Sequence, residues 1–194
     1  MWNREHMGDP TAAASALQWS VTSMAEAAGR LAGVAVWDRP RAFAVIGEAV
    51  WWVTIVDATL VRHHPATYDA VLAGGGGPGR QVIEGTLSGL RFVRNRIARE
   101  AHAGELVEPG VAGPGGGGVT GWRWRPVPGP VRGSLPARGL AWEMARYGAY
   151  QDRLAGHTIG ETFGQAAPFL MQAAASATPI TDASPQGQTS PSGS

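Results

Sequence analysis

The arginines and the histidine near the middle of the chain are the residues best able to do chemistry. The stretch from Gly89 to His102 reads GLRFVRNRIAREAH and holds four of the 16 basic residues. A histidine can give or take a proton near neutral pH. An arginine can hold a phosphate and stabilise negative charge that develops in a reaction. We therefore look for a site in this stretch first.

The same stretch predicts a helix with one polar stripe beside its apolar face. At about 100° per residue, four side chains fall within about 60° of one another: Arg91, Asn95, Ala98 and His102. Arg94 lies on the rim of the apolar face, whereas Arg96 and Arg99 point toward solvent. A structural role is the alternative, because arginine stems often cover apolar surface and positive charge suits a helix C-terminus.

A carboxylate partner for the stripe is expected from an earlier and very apolar helix. Glu48 lies in the run AFAVIGEAVWWVTIVDATLV, residues 42–61. A carboxylate in so apolar a segment is desolvated unless it is paired. We therefore expect Glu48 to bond to Arg91 or Arg94 across a helical bundle.

The segment RNRIAREAH, Arg94 to His102, resembles the signature of the HEPN superfamily, in which an arginine with a polar neighbour precedes a histidine. Arg94 and Asn95 match the first part and His102 the second, with a longer spacer than is usual in the family. The resemblance implies a helical bundle that binds RNA or cleaves it without a metal, in a cleft between two subunits.

The resemblance also implies roles for individual residues. His102 would move a proton, Arg94 with Asn95 would hold the phosphate, and Glu48 would orient an arginine. Arg91 and Arg96 are candidate RNA-binding residues on the same helix. RNA and a second copy of the chain, as a homodimer, are the expected partners, and no cofactor is expected.

A second candidate binding element is the alternating segment WRWR. Trp122 and Trp124 would lie on one side of a short edge strand, with Arg123 and Arg125 on the other. Alternating aromatic and arginine residues can stack on bases and grip phosphates. They also suit protein interfaces. The alternative is that both tryptophans pack onto the helices.

The composition favours a second class of function. Every basic residue is an arginine, as in chains encoded by GC-rich bacterial genomes, which weakens the case for RNA binding. Charged residues make up 16% of the chain, against about 25% in an average domain. So small a polar surface indicates contact with a partner. The alternative function is a non-catalytic helical module that binds another protein or its own copy.

Several kinds of site are not expected from the residues present. The chain has no cysteine, which excludes disulfides and thiolate metal sites. His157 and Glu161 have a metal-ligand spacing but are too few for a site. The glycine-rich runs lack the lysine and hydroxyl residue of a phosphate-binding loop. We therefore expect no metal and no cofactor.

The predicted fold is mainly α: a single bundle of five or six helices with a short β element at 119–126. Helices are expected at about 10–36, 40–62, 65–73, 79–102 and 137–154, and a sixth after residue 158. A flexible N-terminus (1–8), a helical domain (9–175) with Gly-rich loops at 74–79 and 104–118, and a disordered tail (176–194) complete the organisation.

The expected location is the cytoplasm, with no membrane partner. The first residues lack the basic and apolar regions of a secretory signal. Residues 42–61 have the length of a membrane span, about 20 residues. Glu48 and Asp57 inside this run would each cost about 2.5–3.5 kcal/mol in a bilayer. A buried core helix is therefore predicted there.

Overall fold

The computed structural model describes residues 10–35, 37–100, 105–111, 119–131 and 136–177. Within them the chain is mainly helical, as the sequence predicts, with six helices and one two-stranded antiparallel sheet. In chain order the elements are α1 (Pro10–Leu31), α2 (Arg39–His63), α3 (Pro65–Gly74), α4 (Gly76–Glu100), β1 (Val107–Val111), β2 (Val119–Trp124), α5 (Ala137–Arg153) and α6 (Ile159–Ala177). The expected flexible N-terminus and the tail from residue 178 lie outside the described residues.

The start of α2 follows from its sequence. The Asp38 side chain accepts a hydrogen bond from the Arg41 backbone N–H at 3.2 Å. Pro40 stands in the first turn, where its missing N–H has no intrahelical acceptor to lose. At the other end, His64 separates α2 from α3, which begins at Pro65. One residue therefore joins these two helices.

The prediction of a Gly-rich loop at 74–79 is wrong. Gly75 alone separates α3 from α4. Gly76 has φ +70°, a backbone conformation that glycine adopts freely. Pro78 falls in the first turn of α4, where a helix tolerates proline because the first N–H groups lack intrahelical partners. The run of helix-breaking residues therefore marks a one-residue joint.

The prediction of a Gly-rich loop at 104–118 is wrong in part, because Val107–Val111 forms β1. β1 pairs antiparallel with β2, and Pro109 lies opposite Trp122. The register shifts between Pro109 and Val111, an irregularity typical of a strand that contains a residue unable to donate a hydrogen bond. Residues 112–118 lie outside the described residues.

Helices α4 and α5 approach each other closely at Gly89. A β-carbon there would lie 2.7 Å from Leu154 Cδ1 and 3.2 Å from Tyr150 Cα. Phe92 packs nearby against the rings of Tyr147 and Tyr150, at centroid distances of 5.6 and 5.1 Å. This seam fixes the rotation of α4, and with it the direction of the arginines that α4 carries.

Helix α2 contributes a long buried side to the core. Its buried residues are Ala42, Val45, Ile46, Ala49, Val50, Val53, Thr54, Val56, Asp57 and Leu60. By length and composition α2 is able to cross a membrane. Half of its most apolar window, 50%, is buried inside the structure. A core helix passes the same test, so the absence of a membrane partner stays a prediction.

Candidate functional site

The first polar cluster of the bundle is built around Asp57 of α2. Its carboxylate is fully buried. Oδ1 accepts a hydrogen bond from the Tyr68 hydroxyl at 2.9 Å. Oδ2 accepts Arg91 Nε at 2.7 Å and lies 2.5 Å from Arg91 Nη2. Burial, and then the negative charge of Asp57, raises the pKa of the Tyr68 phenol, so this hydroxyl stays a donor. The cluster ties α2, α3 and α4 together.

A second buried carboxylate, Glu143 of α5, contacts the part of α4 that follows Arg91. It accepts a hydrogen bond from Asn95 Nδ2 at 3.0 Å and a short one from Arg99 Nη2. Arg146, one turn along α5, approaches it at 3.5 Å. Arg99 was expected to point to solvent, and the sequence analysis did not identify Glu143. The Asn95 amide is therefore engaged within the chain.

The predicted pairing of Glu48 with Arg91 or Arg94 is wrong. Glu48 Oε1 lies 2.6 Å from Arg30 Nη2 of α1, and both side chains are nearly half exposed. The reason is helical phase. Glu48 and Asp57 are nine residues apart on α2, which turns them about 180° from each other. Asp57 is the carboxylate that faces α4, and Glu48 faces outward.

Two further predicted site residues of α4, Arg94 and Arg96, also contact their own chain. The Arg94 guanidinium carbon lies 5.1 Å from the ring centroid of Trp51 on α2, a cation–π contact. Arg96 Nη1 donates to the Pro128 carbonyl at 3.3 Å. The side chains predicted to form a catalytic or RNA-binding stripe therefore hold α2, α4 and α5 in place.

The proposed proton-transfer residue, His102, lies outside the described residues. The described histidines are His63 and His64, at the α2–α3 joint, and His157, ahead of α6. Within the described ranges, no three His, Cys, Asp or Glu side chains lie close enough together to hold a metal ion. The other predicted catalytic residues, Glu48, Arg94 and Asn95, are described, and each contacts its own chain.

The WRWR segment alternates as the sequence predicts, with both tryptophans turned into the core. Trp124 is fully buried, and its Nε1 donates to Thr162 Oγ1 at 2.8 Å. Trp122 is also buried and meets the ring of Phe43 at a centroid distance of 6.1 Å. The strand packs onto the helices, so the two indoles are not presented for stacking on bases.

The arginines of this segment lie at the surface of the sheet. Arg125 is exposed, and its Nε lies 3.9 Å from the Glu108 carboxylate of β1. Arg123 is partly exposed, and its Nε is buried without an acceptor among the described residues. The backbone of β2 is not a free edge, because Trp124 N–H donates to the His157 carbonyl at 3.0 Å.

An apolar cavity that the sequence analysis missed lies between α1, α2, β2 and the start of α6. Its volume is about 670 Å³, and its walls include Leu31, Ile46, Trp122 and Phe163. The Trp122 indole N–H is shielded from solvent and has no acceptor within the described part of the chain. No periodicity in the sequence marks this cavity, because its walls come from four separate elements.

The most distinctive surface feature is a group of exposed aromatic side chains. Trp51 of α2 is 47% exposed and Trp19 of α1 is 63% exposed. The Trp19 ring stands edge-on to Trp52, with centroids 4.9 Å apart. Ile55 and Ala58 continue the same side of α2 and are partly and well exposed. We call these five residues the aromatic face.

The sequence predicted a buried core helix at residues 42–61. Helices α1, α4 and α6 pack against one side of α2, and no element of the described residues covers the side that carries Trp51 and Ala58.

Comparison with models of known protein families finds no match for this chain. Neither the curated proteins nor the solved structures contain a match. The contacts described above are therefore the basis for any statement about function.

Proposed function

We propose that this protein is a non-catalytic helical module that associates with its own copy through the aromatic face. The observation that carries the proposal is the exposure of Trp19 of α1 and Trp51 of α2, on a side of α2 that no described element covers. Large exposed apolar patches are rare on monomeric proteins and usually mark an interaction surface.

The residue types on the face suit a protein partner. Tryptophan is one of the residues that contribute most to the energy of protein interfaces. Trp51 is already held by the Arg94 guanidinium, and Trp19 is held by Trp52. Side chains that are fixed before binding lose less conformational entropy when an interface forms. The low charge of the chain, 16% of its residues, supports the same proposal.

The contacts of the α4 stripe also favour a structural role for its arginines. Arg91, Asn95 and Arg99 bind the two buried carboxylates, and Arg94 lies on Trp51. Binding a phosphate would require some of these groups to leave their partners. Removing a partner from a buried carboxylate is strongly unfavourable.

The self-association can be tested by sedimentation at several protein concentrations. We expect a species of about twice the chain mass of 20.2 kDa. The double variant Trp19→Glu/Trp51→Glu should remain folded by circular dichroism and sediment as a monomer. The loss of a hot-spot residue, about 2 kcal/mol or more, weakens a dimer roughly thirtyfold.

A matched control is Trp142→Glu. Trp142 is 61% exposed but lies on α5, which packs against α4. Its replacement should leave the dimer unchanged. A wild-type protein that is monomeric at every concentration would contradict the proposed function.

RNA cleavage, which the HEPN resemblance implies, stays a prediction. We expect micromolar protein incubated with total RNA and EDTA to give no cleavage that depends on His102, because Arg94 and Asn95 already have partners within the chain. The measurement is a comparison of RNA products from the wild type and His102→Ala. Cleavage present in the first and missing in the second would contradict a non-catalytic role.

A further inference from the structure

The outer side of α2 repeats in alternate steps of four and three residues. Within this side lie Glu48, Trp52, Ile55, Thr59 and Arg62. Each of these side chains is partly or well exposed. Steps of four and three are the spacing with which one helix packs along another in a coiled coil. A second helix can therefore pack lengthwise along this side of α2.

The same side of α2 is complementary to that of a second α2 running in the opposite direction. Glu48 and Arg62 each lie seven residues from Ile55, one before it and one after it. At 1.5 Å per residue, each is about 10.5 Å along the axis from the midpoint. Reversal of the helix therefore exchanges a carboxylate with a guanidinium at each end.

We propose, building on the proposed self-association, that two copies pack α2 against α2 in antiparallel orientation, with the two-fold axis at Ile55. Glu48 of each copy then meets Arg62 of the other at both ends of the contact. Such a contact is isologous, so it closes as a dimer and does not extend into a filament.

The charges at the two ends are available for this contact. Arg62 is exposed and forms no ion pair with any described residue. Glu48 uses Oε1 for Arg30, and its Oε2 accepts no hydrogen bond within the described part of the chain. The hydrocarbon of a lipid bilayer would leave Arg62 without a counter-ion, whereas a second copy supplies the Glu48 carboxylate. This complementarity is why we favour a second copy as the occupant.

The absence of cysteine in the chain allows a direct test. In Ile55→Cys, the two thiols at the axis should form a disulfide with each other. Diamide is the oxidant: it takes up the two electrons and two protons that the thiols release. Residues at a two-fold axis can meet the geometry of a disulfide, with Cα atoms about 4.4–6.8 Å apart. The readout is the cross-linked dimer on a non-reducing gel.

The matched control is Ala145→Cys, at an exposed position of α5. Cross-linking at position 55 should be about a hundredfold faster than at 145, because only the first pair is held at high effective concentration.

A charge exchange provides a second and independent readout. Glu48→Arg and Arg62→Glu each place like charges opposite one another at both ends, and each should raise the dimer dissociation constant at least about tenfold. Mixing the two single variants pairs opposite charges at both ends of a heterodimer, so the mixture should regain wild-type association. Sedimentation of each variant and of the mixture measures this.

The outcomes separate the geometry from the function. Fast cross-linking at position 55, with association regained in the mixture, supports the antiparallel dimer. A wild-type dimer that neither cross-links at 55 nor responds to the charge exchange overturns this geometry and leaves self-association standing. A wild-type monomer overturns both.

Discussion

Replacing Arg91 with alanine should lower the free energy of unfolding by about 3–5 kcal/mol. Arg91 supplies the guanidinium that neutralises Asp57, whose side chain is only 1% exposed. Without it the carboxylate keeps the Tyr68 hydroxyl but has no positive charge beside it. The cost is large because the charge stays buried and loses its counter-ion. Urea unfolding followed by circular dichroism measures the change.

The control for this experiment is Arg80→Ala, on the same helix. Arg80 pairs with Glu84 at 2.9 Å, but both side chains are nearly half exposed. The loss of an exposed pair should cost less than about 1 kcal/mol. All variants must be compared at one protein concentration, because association with a second copy adds to the apparent stability. Equal losses for the two variants would show that Asp57 does not depend on Arg91.

Replacing Trp124 with alanine should lower the free energy of unfolding by a similar amount, about 3–5 kcal/mol. The ring is fully buried, and its N–H donates to Thr162 of α6 at 2.8 Å. Alanine would leave a cavity between the sheet and α6 and would remove this hydrogen bond. Thermal or urea unfolding of the variant tests the expectation.

Trp37→Ala is the matched control, because Trp37 is 85% exposed. Its effect should stay within about 0.5 kcal/mol of zero. If Trp124→Ala were equally harmless, the packing of the WRWR segment onto the helices would be contradicted. A loss of RNA binding at unchanged stability would restore the nucleic-acid interpretation of that segment.

Local signals in the sequence were sufficient to place most helix starts. Asp38 and Pro40 begin α2 as expected. The Thr158–Glu161 capping box begins α6: the Thr158 backbone N–H donates to Glu161 at 2.9 Å, and the Glu161 N–H donates back to Thr158 at 3.1 Å. The Thr158 hydroxyl, which donates to the Glu161 carboxylate at 2.8 Å, and then the Thr158 backbone N–H lower the pKa of Glu161. Such caps depend only on residues three apart, so the sequence contains all the information they need.

The partners of the charged residues could not be predicted in the same way. Choosing between Glu48 and Asp57 requires the rotation of α2 about its axis, which is set by its packing on α1, α4 and α6. α2 is apolar on nearly every side, so its own sequence does not give that rotation. Glu143 lies 48 residues from Asn95, and only the contact of α5 with α4 brings them together.

The strand β1 was missed for a different reason. Pro109 and the glycines around it argue against a strand when the segment is considered alone. β2 overrides this preference by pairing with β1 from Val107 onward. The exposure of the aromatic face was also beyond the sequence, because an apolar helix gives no indication of how many neighbours will cover it.

The joints at His64 and Gly75 have a mechanical consequence. Residues 39–100 form three helices with one residue at each junction. No flexible loop therefore separates these helices. A tilt of α2 cannot be absorbed by a loop and must pass to α3 and α4. Hydrogen bonds of the Asp57–Tyr68–Arg91 cluster connect the same three helices inside the protein. A force on the exposed side of α2 should therefore move α3 and α4 together with α2.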